Sequence, residues 1–355
     1  MTISYHSGER IQATAADFAG TPAISGGWKE VGRTTLGSAS NDISVSSLAD
    51  KKYYMILHSH LDNGTSMRIG NRVNNDSSSA YAERRSADGG SDNTNVNATE
   101  INITDAVNTA ENWLGVNYIA NKSDKEKLQL SHYVGQNSSG AGNAPKRTEV
   151  VSKFANTSDA IDRWDSVRIS GSGQSDTGSE VVVLGWDETD THTTNFWEEL
   201  ASVELGSDNA TLDSGTFTAK KYLWFQVYNQ GSAGHQLYGR VNSISTGTPY
   251  TTRYSKNGAA DVTLTSQNQM MLVQRSANTD TGRFINGFII NNSANEKLVI
   301  THDVDEETSG AGNQPTREES VHKWANTSAQ ITSIQISGSA GNMRSGSFIK
   351  VWGSN

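Results

Sequence analysis

A chain of 355 residues with no cysteine cannot build disulfides or thiolate metal centres, so its stability must come from packing or assembly. A formal net charge of −9, with no run of Lys or Arg, speaks against a nucleic-acid groove. A mean hydropathy of −0.57 and a bulk of Ser, Thr, Asn and Gly favour turns and solvated strand faces over helix interiors. No apolar run approaches the roughly 20 residues that a membrane-inserted helix needs.

Residues 1–26 have no counterpart later in the chain and read as an N-terminal arm or attachment segment. Met1 to Gln12 hold His6, Glu9 and Arg10 and no apolar core, so the expectation is a chain without a secretory leader, assembled in a reducing cytoplasm. From Trp28 onward the chain is a tandem duplication. Trp28 to Ser38 and Trp197 to Ser207 share the frame Trp-Lys/Glu-Glu, five residues, Leu-Gly-Ser, displaced by 169. Lys51-Lys52-Tyr53 returns as Lys220-Lys221-Tyr222, and Tyr81, Arg84 and Gly89 return as Tyr250, Arg253 and Gly258. After one extra residue, Glu126-Lys127-Leu128 and His132 return as Glu296-Lys297-Leu298 and His302, displaced by 170. The longest echo sets Ser139-Gly140-Ala141-Gly142-Asn143, Arg147, Glu149, Lys153 and Ala155-Asn156-Thr157-Ser158 against Ser309-Gly310-Ala311-Gly312-Asn313, Arg317, Glu319, Lys323 and Ala325-Asn326-Thr327-Ser328. Such a displacement is too long for a solenoid unit and fits a whole domain.

Within each copy the visible period is two. Lys52 to His58 and Lys221 to Tyr228 are dense in aromatic and branched residues, as buried central strands are. Leu128 to Ser131 and Leu298 to Thr301 alternate, as do Val167 to Ser170 and Ile334 to Ser337, while Val181 to Leu184 and Phe348 to Trp352 close each copy before a glycine. Asp88-Gly89 and Asn257-Gly258 signal turns. Only Arg147 to Asn156 and Arg317 to Asn326 compete as short helices, and Val150, Val151 and Ser152 form helices poorly, so the segment is open between an extended excursion and one short helix. The predicted fold is all-β: two tandem homologous jelly-roll-like β-sandwich domains of about eight strands each, behind an N-terminal arm. The first copy spans 27–187, a polar linker 188–195 and the second copy 196–355.

Candidate chemistry is sparse. His58, His60 and Asp62 would project from one face of a strand and could begin a zinc site, but Val227, Asn229 and Gly231 cannot reproduce it in the second copy. Asp303, Asp305 and Glu306 could hold a hard cation such as calcium, yet the first copy offers Tyr133, Gly135 and Gln136 there. Asp187, Glu188 and Asp190 suggest the same and fit a solvated loop equally well. His132 and His302 are kept in both copies, which points to packing at a strand end. Glu149 and Glu319 sit beside Arg147 and Arg317 as paired surface charges rather than as an acid and base couple. No nucleophile elbow, phosphate loop or dinucleotide fingerprint occurs. The expectation is therefore a protein that is not an enzyme, with no catalytic residue, no cofactor and no resident metal. Among the aromatics, Trp113, Tyr118, Trp164, Trp186, Trp324 and Trp352 could stack sugar rings, although Phe154 matching Trp324 and Tyr118 matching Phe288 favour packing. The Asn-x-Ser/Thr triplets, such as those at Asn63 and Asn156, arise from composition.

The segment from Ala325 to Ile336 followed by Ser345 to Gly353 resembles the C-terminal end of virion proteins from tailed phages and uncultured marine viruses. Leu36-Gly37-Ser38, Ile43 to Leu48 and Lys51 to Tyr54 resemble the first strands of the same domain type, and Ser7 to Gln12 resembles their leaders. The first copy departs from that pattern around Arg163-Trp164-Asp165 and by placing Trp186 after its closing glycine. The resemblance implies a non-enzymatic virion structural protein, assembled in the host cytoplasm, that decorates the capsid or forms a tail or fibre component. Its implied partners are other virion proteins and further copies of itself around a cyclic axis, with a trimer favoured. Two other functions fit the same architecture: a double jelly-roll major capsid protein, and a receptor- or carbohydrate-binding protein that takes a host-surface glycan. Exposure of Trp113 and Trp186 on one rim would favour the glycan reading.

Overall fold

The computed structural model describes residues 24–25, 27–104, 111–188, 190–192, 194–231, 236–274 and 281–355, so residues 1–23 of the predicted arm lie outside the described residues. Every element in it is a strand. β1 (Ile24–Ser25) precedes the first copy, which comprises β2 (Lys29–Thr35), β3 (Asp42–Ser46), β4 (Tyr53–His60), β5 (Met67–Val73), β6 (Tyr81–Ala87), β7 (Asn93–Ala98), β8 (Ile101–Asn102), β9 (Trp113–Ala120), β10 (Lys127–Gly135), β11 (Lys146–Phe154), β12 (Arg163–Gly171) and β13 (Glu180–Trp186). In the linker, β14 (Thr191–His192) pairs back with β1. The second copy comprises β15 (Glu198–Glu204), β16 (Thr211–Asp213), β17 (Tyr222–Gln230), β18 (Leu237–Val241), β19 (Tyr250–Lys256), β20 (Val262–Gln267), β21 (Met270–Val273), β22 (Gly282–Ile290), β23 (Lys297–Asp305), β24 (Thr316–Trp324), β25 (Ile334–Gly338) and β26 (Phe348–Ser354).

Each copy is an antiparallel sandwich of an eight-stranded and a four-stranded sheet, twelve strands where about eight are expected from the sequence. The large sheet runs β2-β13-β4-β9-β10-β11-β6-β7 and the small one β3-β12-β5-β8; in the second copy the orders are β15-β26-β17-β22-β23-β24-β19-β20 and β16-β25-β18-β21. The segments that compete as helices are the extended strands β11 and β24, whose branched residues suit a pleated surface. The hairpin predicted at Asp88-Gly89 has φ of 50° and 72°, and its counterpart Asn257-Gly258 has φ of 54° and 73°. Two successive left-handed residues are the mirror-image turn that matches strand twist, which is why Gly follows Asp or Asn there.

The residues kept in both copies hold each sandwich shut. Tyr81 and Tyr250 cross their cores so that each hydroxyl accepts a backbone N–H, from Val73 at 3.0 Å and Val241 at 3.1 Å. Lys127 and Lys297 donate to the carbonyls of Asn156 and Asn326, both at 2.8 Å. Those asparagines in turn accept from the N–H of Ser158 and Ser328 at 2.8 and 2.9 Å, so the repeated Asn-Thr-Ser is a turn motif.

Beyond the two sandwich cores, around Trp164 and Trp324, a third apolar cluster draws on both copies. Met55, Leu57, Leu114, Val116, Val134, Val182 and Leu184 of the first large sheet pack against Phe196, Trp197, Tyr222, Phe288, Ile290, Leu298, Ile300 and Val321 of the second copy. This contact explains why β4 reads as a continuous apolar run: Tyr54 and Ile56 face its own core while Met55 and Leu57 face the other domain.

Candidate functional site

The candidate sites suggested by the sequence resolve into structural roles. His58 and His60 are buried and stacked, with ring centroids 5.8 Å apart, and point into the first core. His60 lies between two hydroxyls, Ser175 Oγ and Ser166 Oγ, each at 2.9 Å, and burial pushes its pKa down to about 4. His58 Nε2 meets Asn117 Nδ2 at 3.1 Å, and burial holds it well below the usual histidine range. Asp62 accepts the N–H groups of Gly64 and Thr65 at 2.8 and 3.2 Å, capping a turn. The three side chains therefore do not converge on one ion.

Asp305 is paired with buried Arg283 at 2.9 Å, so it is already neutralised. Asp303 is buried beside Glu318, its cross-strand partner, and burial with that neighbouring carboxyl raises it well above the usual range. Glu318 is itself raised to about 7, chiefly by burial. Among the described residues, Asp303, Asp305 and Glu306 do not bring their ligand atoms together as a group that could hold a cation. In the linker, Asp190 pairs with Lys51 and Glu188 with Lys52, which ties it to the first domain. Trp113 and Trp164 are core residues, so Trp113 does not stand exposed on one rim with Trp186, the arrangement that would favour a glycan site.

What the structure leaves open is a sheet face. Tyr53, Leu128, Leu130 and Val151 are 43–59% exposed and, with Trp28, Tyr118 and Trp186, line a groove of about 920 Å³ on the outer face of the first large sheet. Soluble domains rarely bare a contiguous apolar surface of this kind unless something covers it. The duplication supplies an internal control. The equivalents of these four residues, displaced by 169 or 170, are Tyr222, Leu298, Ile300 and Val321, all at most 2% exposed because the first domain covers them. At the other end of the strands the pattern inverts: Leu114 and Val134 are buried in the contact, while their equivalents Phe284 and Val304 are 39% and 41% exposed.

The domain contact is thus heterologous: one end of the first sheet meets the opposite end of the second. Polar groups repeat the message. The first copy's Ser139-Gly140-Ala141-Gly142-Asn143 loop is gripped by the second domain, where Glu296 accepts from Gly140 N–H at 2.6 Å and Gln136 Nε2 at 2.8 Å. Lys323 donates to the carbonyls of Gln136 and Ser138 at 3.1 and 2.7 Å. Glu296 and Lys323 also pair with each other at 3.4 Å, whereas their equivalents Glu126 and Lys153 pair at 2.8 Å in solvent, away from the domain contact. The sequence does show this loop and this Glu-Lys couple twice, but not that they are the two halves of one contact.

No family model matches the chain, and no curated protein matches it. Among solved structures it is similar to the mouse laminin alpha1 chain domains LG4-5, at 10% identity over 92% of this chain and 91% of that one, with a TM-score of 0.21. It is also similar to the LG1-3 region of the laminin alpha2 chain, at 8% identity over 88% and 64%, with a TM-score of 0.20. Likeness at this level carries no functional argument.

Proposed function

We propose that this chain is a non-enzymatic virion structural protein that acts by assembly, as a capsid decoration or a tail or fibre component. The observation that carries the assembly reading is the bare apolar face around Leu130, whose equivalent around Ile300 is fully covered inside the same molecule. A heterologous contact made once within the chain leaves one unmatched surface of each kind. The face of Tyr53, Leu128, Leu130 and Val151, with Glu126 and Lys153, is suited to the second domain of another molecule, which presents Phe284, Val304 and the free loop Ser309 to Asn313. Repetition of that contact gives a closed ring or an open fibre, according to whether its rotation closes. The virion setting rests on the resemblance of the strand and turn motifs.

Light scattering and sedimentation across a concentration series test the assembly. The wild-type chain is expected to form a defined oligomer or filament, and Leu130→Asp to remain monomeric with an unchanged fold. A wild-type chain that stays monomeric at all concentrations would overturn the reading. Electron microscopy of particles carrying the labelled protein tests the virion setting. Density on spikes or tails supports it, and chains tiling the shell itself would favour a double jelly-roll capsid protein instead.

A further inference from the structure

At the junction of the two domains, four retained residues face one another. His132 and Glu149 are cross-strand partners on β10 and β11, and His302 and Glu319 are cross-strand partners on β23 and β24. Both pairs have the same spacing of 17 residues, 132 to 149 and 302 to 319. The contact between the sheets brings the imidazole rings to 4.0 Å between centroids, tilted by 60°. Ligand atoms of His132, Glu149 and His302 all lie within 4.8 Å of one another. His132 Nδ1 is buried with no hydrogen-bond partner among the described residues.

We propose that His132, Glu149 and His302 form a binding site for a divalent transition cation of the zinc type, clamping the two domains together. Two imidazoles and one carboxylate are a common zinc donor set, and small side-chain adjustments close this span onto an ion with ligands at about 2.0–2.2 Å. The fourth position falls to water or to Glu319, which lies close enough to Glu149 to feel its charge. The imidazoles are available as ligands: burial pushes His132 down to about 4 and His302 to about 3, so both are neutral near pH 7. Glu149 is held by Arg147, which is anchored on Asp261 of the second domain at 2.5 and 3.3 Å, an outer layer that fixes the carboxylate and spans the same junction. Arg147 and Arg317 are the cations facing the site. They are offset by Glu149, Glu319 and Asp261, leaving no excess positive charge to repel an ion. Neither copy contains this site alone. Each contributes one His-Glu pair, and only the domain contact completes it.

The test uses the full chain, stripped with a chelator and titrated calorimetrically with zinc chloride, and separately with cobalt chloride to read the visible bands of a four-coordinate ion. One ion per chain is expected, with affinity falling at least 100-fold in His132→Gln and in His302→Gln, and about 10-fold in Arg147→Ala. Glutamine keeps polar bulk at the junction, circular dichroism checks that each variant is folded, and the cobalt spectrum of the wild-type chain needs no variant. Absence of stoichiometric binding by the wild-type chain overturns the proposal. So does binding that both glutamine variants leave unchanged, because the ion would then sit on other histidines.

Discussion

The outer faces of the two large sheets are the same surface in two situations. Around Ile300 it is sealed against a neighbour, and around Leu130 it is bare, although the side chains stayed apolar at both places. A surface released from burial is free to become polar, as part of the opposite end of the second sheet did, where Gln226 and Asn286 stand in for Leu57 and Val116 beside Phe284 and Val304, which stayed apolar. The exposed apolar side chains of Tyr53, Leu128, Leu130 and Val151 support the proposal that another molecule covers this face too.

The strongest way to break the comparison is to place the same charge on both faces. Ile300→Asp buries an unpaired carboxylate in the domain contact and is expected to cost about 4 kcal/mol or more, read as a drop in the denaturant midpoint. Leu130→Asp, at the equivalent position in solvent, should change the stability of the isolated chain by no more than about 0.5 kcal/mol while abolishing self-association. Equal costs at the two positions would mean that the first face is already covered within the monomer.

Much of this was readable in the residues. Self-similarity located both domains, alternation and turn chemistry located the strands flanking the core, and Asp-Gly and Asn-Gly placed the hairpins. The small sheets were less visible, because β8 and β16 are only two and three residues long and carry no period. The continuous apolar character of β4 announced burial on both faces but could not say what lay against the second one. The junction was hidden for a related reason. A binding site sought within one copy fails to recur, whereas His132-Glu149 and His302-Glu319 recur as halves that only the packing of the domains brings together.

The arginines offer a second, smaller contrast. Arg147 is 6% exposed and bridges Glu149 and the 2% exposed Asp261 across the domain contact, whereas its equivalent Arg317 is 64% exposed and pairs with Glu319. Arg147→Ala strips a buried carboxylate of its main partner and should cost about 3 kcal/mol. Arg317→Ala should cost under about 1 kcal/mol, in the range of exposed ion pairs. Chemical denaturation of the two variants separates a domain clamp from a surface charge; similar losses would mean that the clamp is not made.

The smallest contrast concerns two core histidines that the copies place at different positions but solve in the same way. His60 sits between Ser166 and Ser175, and His322 between Thr252 Oγ1 at 2.9 Å and Thr301 Oγ1 at 2.8 Å. Burial lowers them to about 4 and about 3. A base whose pKa is lower in the folded state than in the unfolded chain contributes stability that is complete above the unfolded value, near 6.5, and drains away as pH falls toward the folded value. Each should therefore cost about 2 kcal/mol between pH 7 and pH 5. Glu318, raised to about 7, works in the opposite sense, since its folded form holds a proton that the unfolded chain has released, so it favours the fold as pH falls over that window. Each of these two histidines therefore lowers stability on acidification, and Glu318 opposes them. Replacing His322 by glutamine should reduce the stability lost between pH 7 and pH 5 by about 2 kcal/mol. A slope that His322→Gln leaves intact would place the acid sensitivity elsewhere, in the first domain or at the junction.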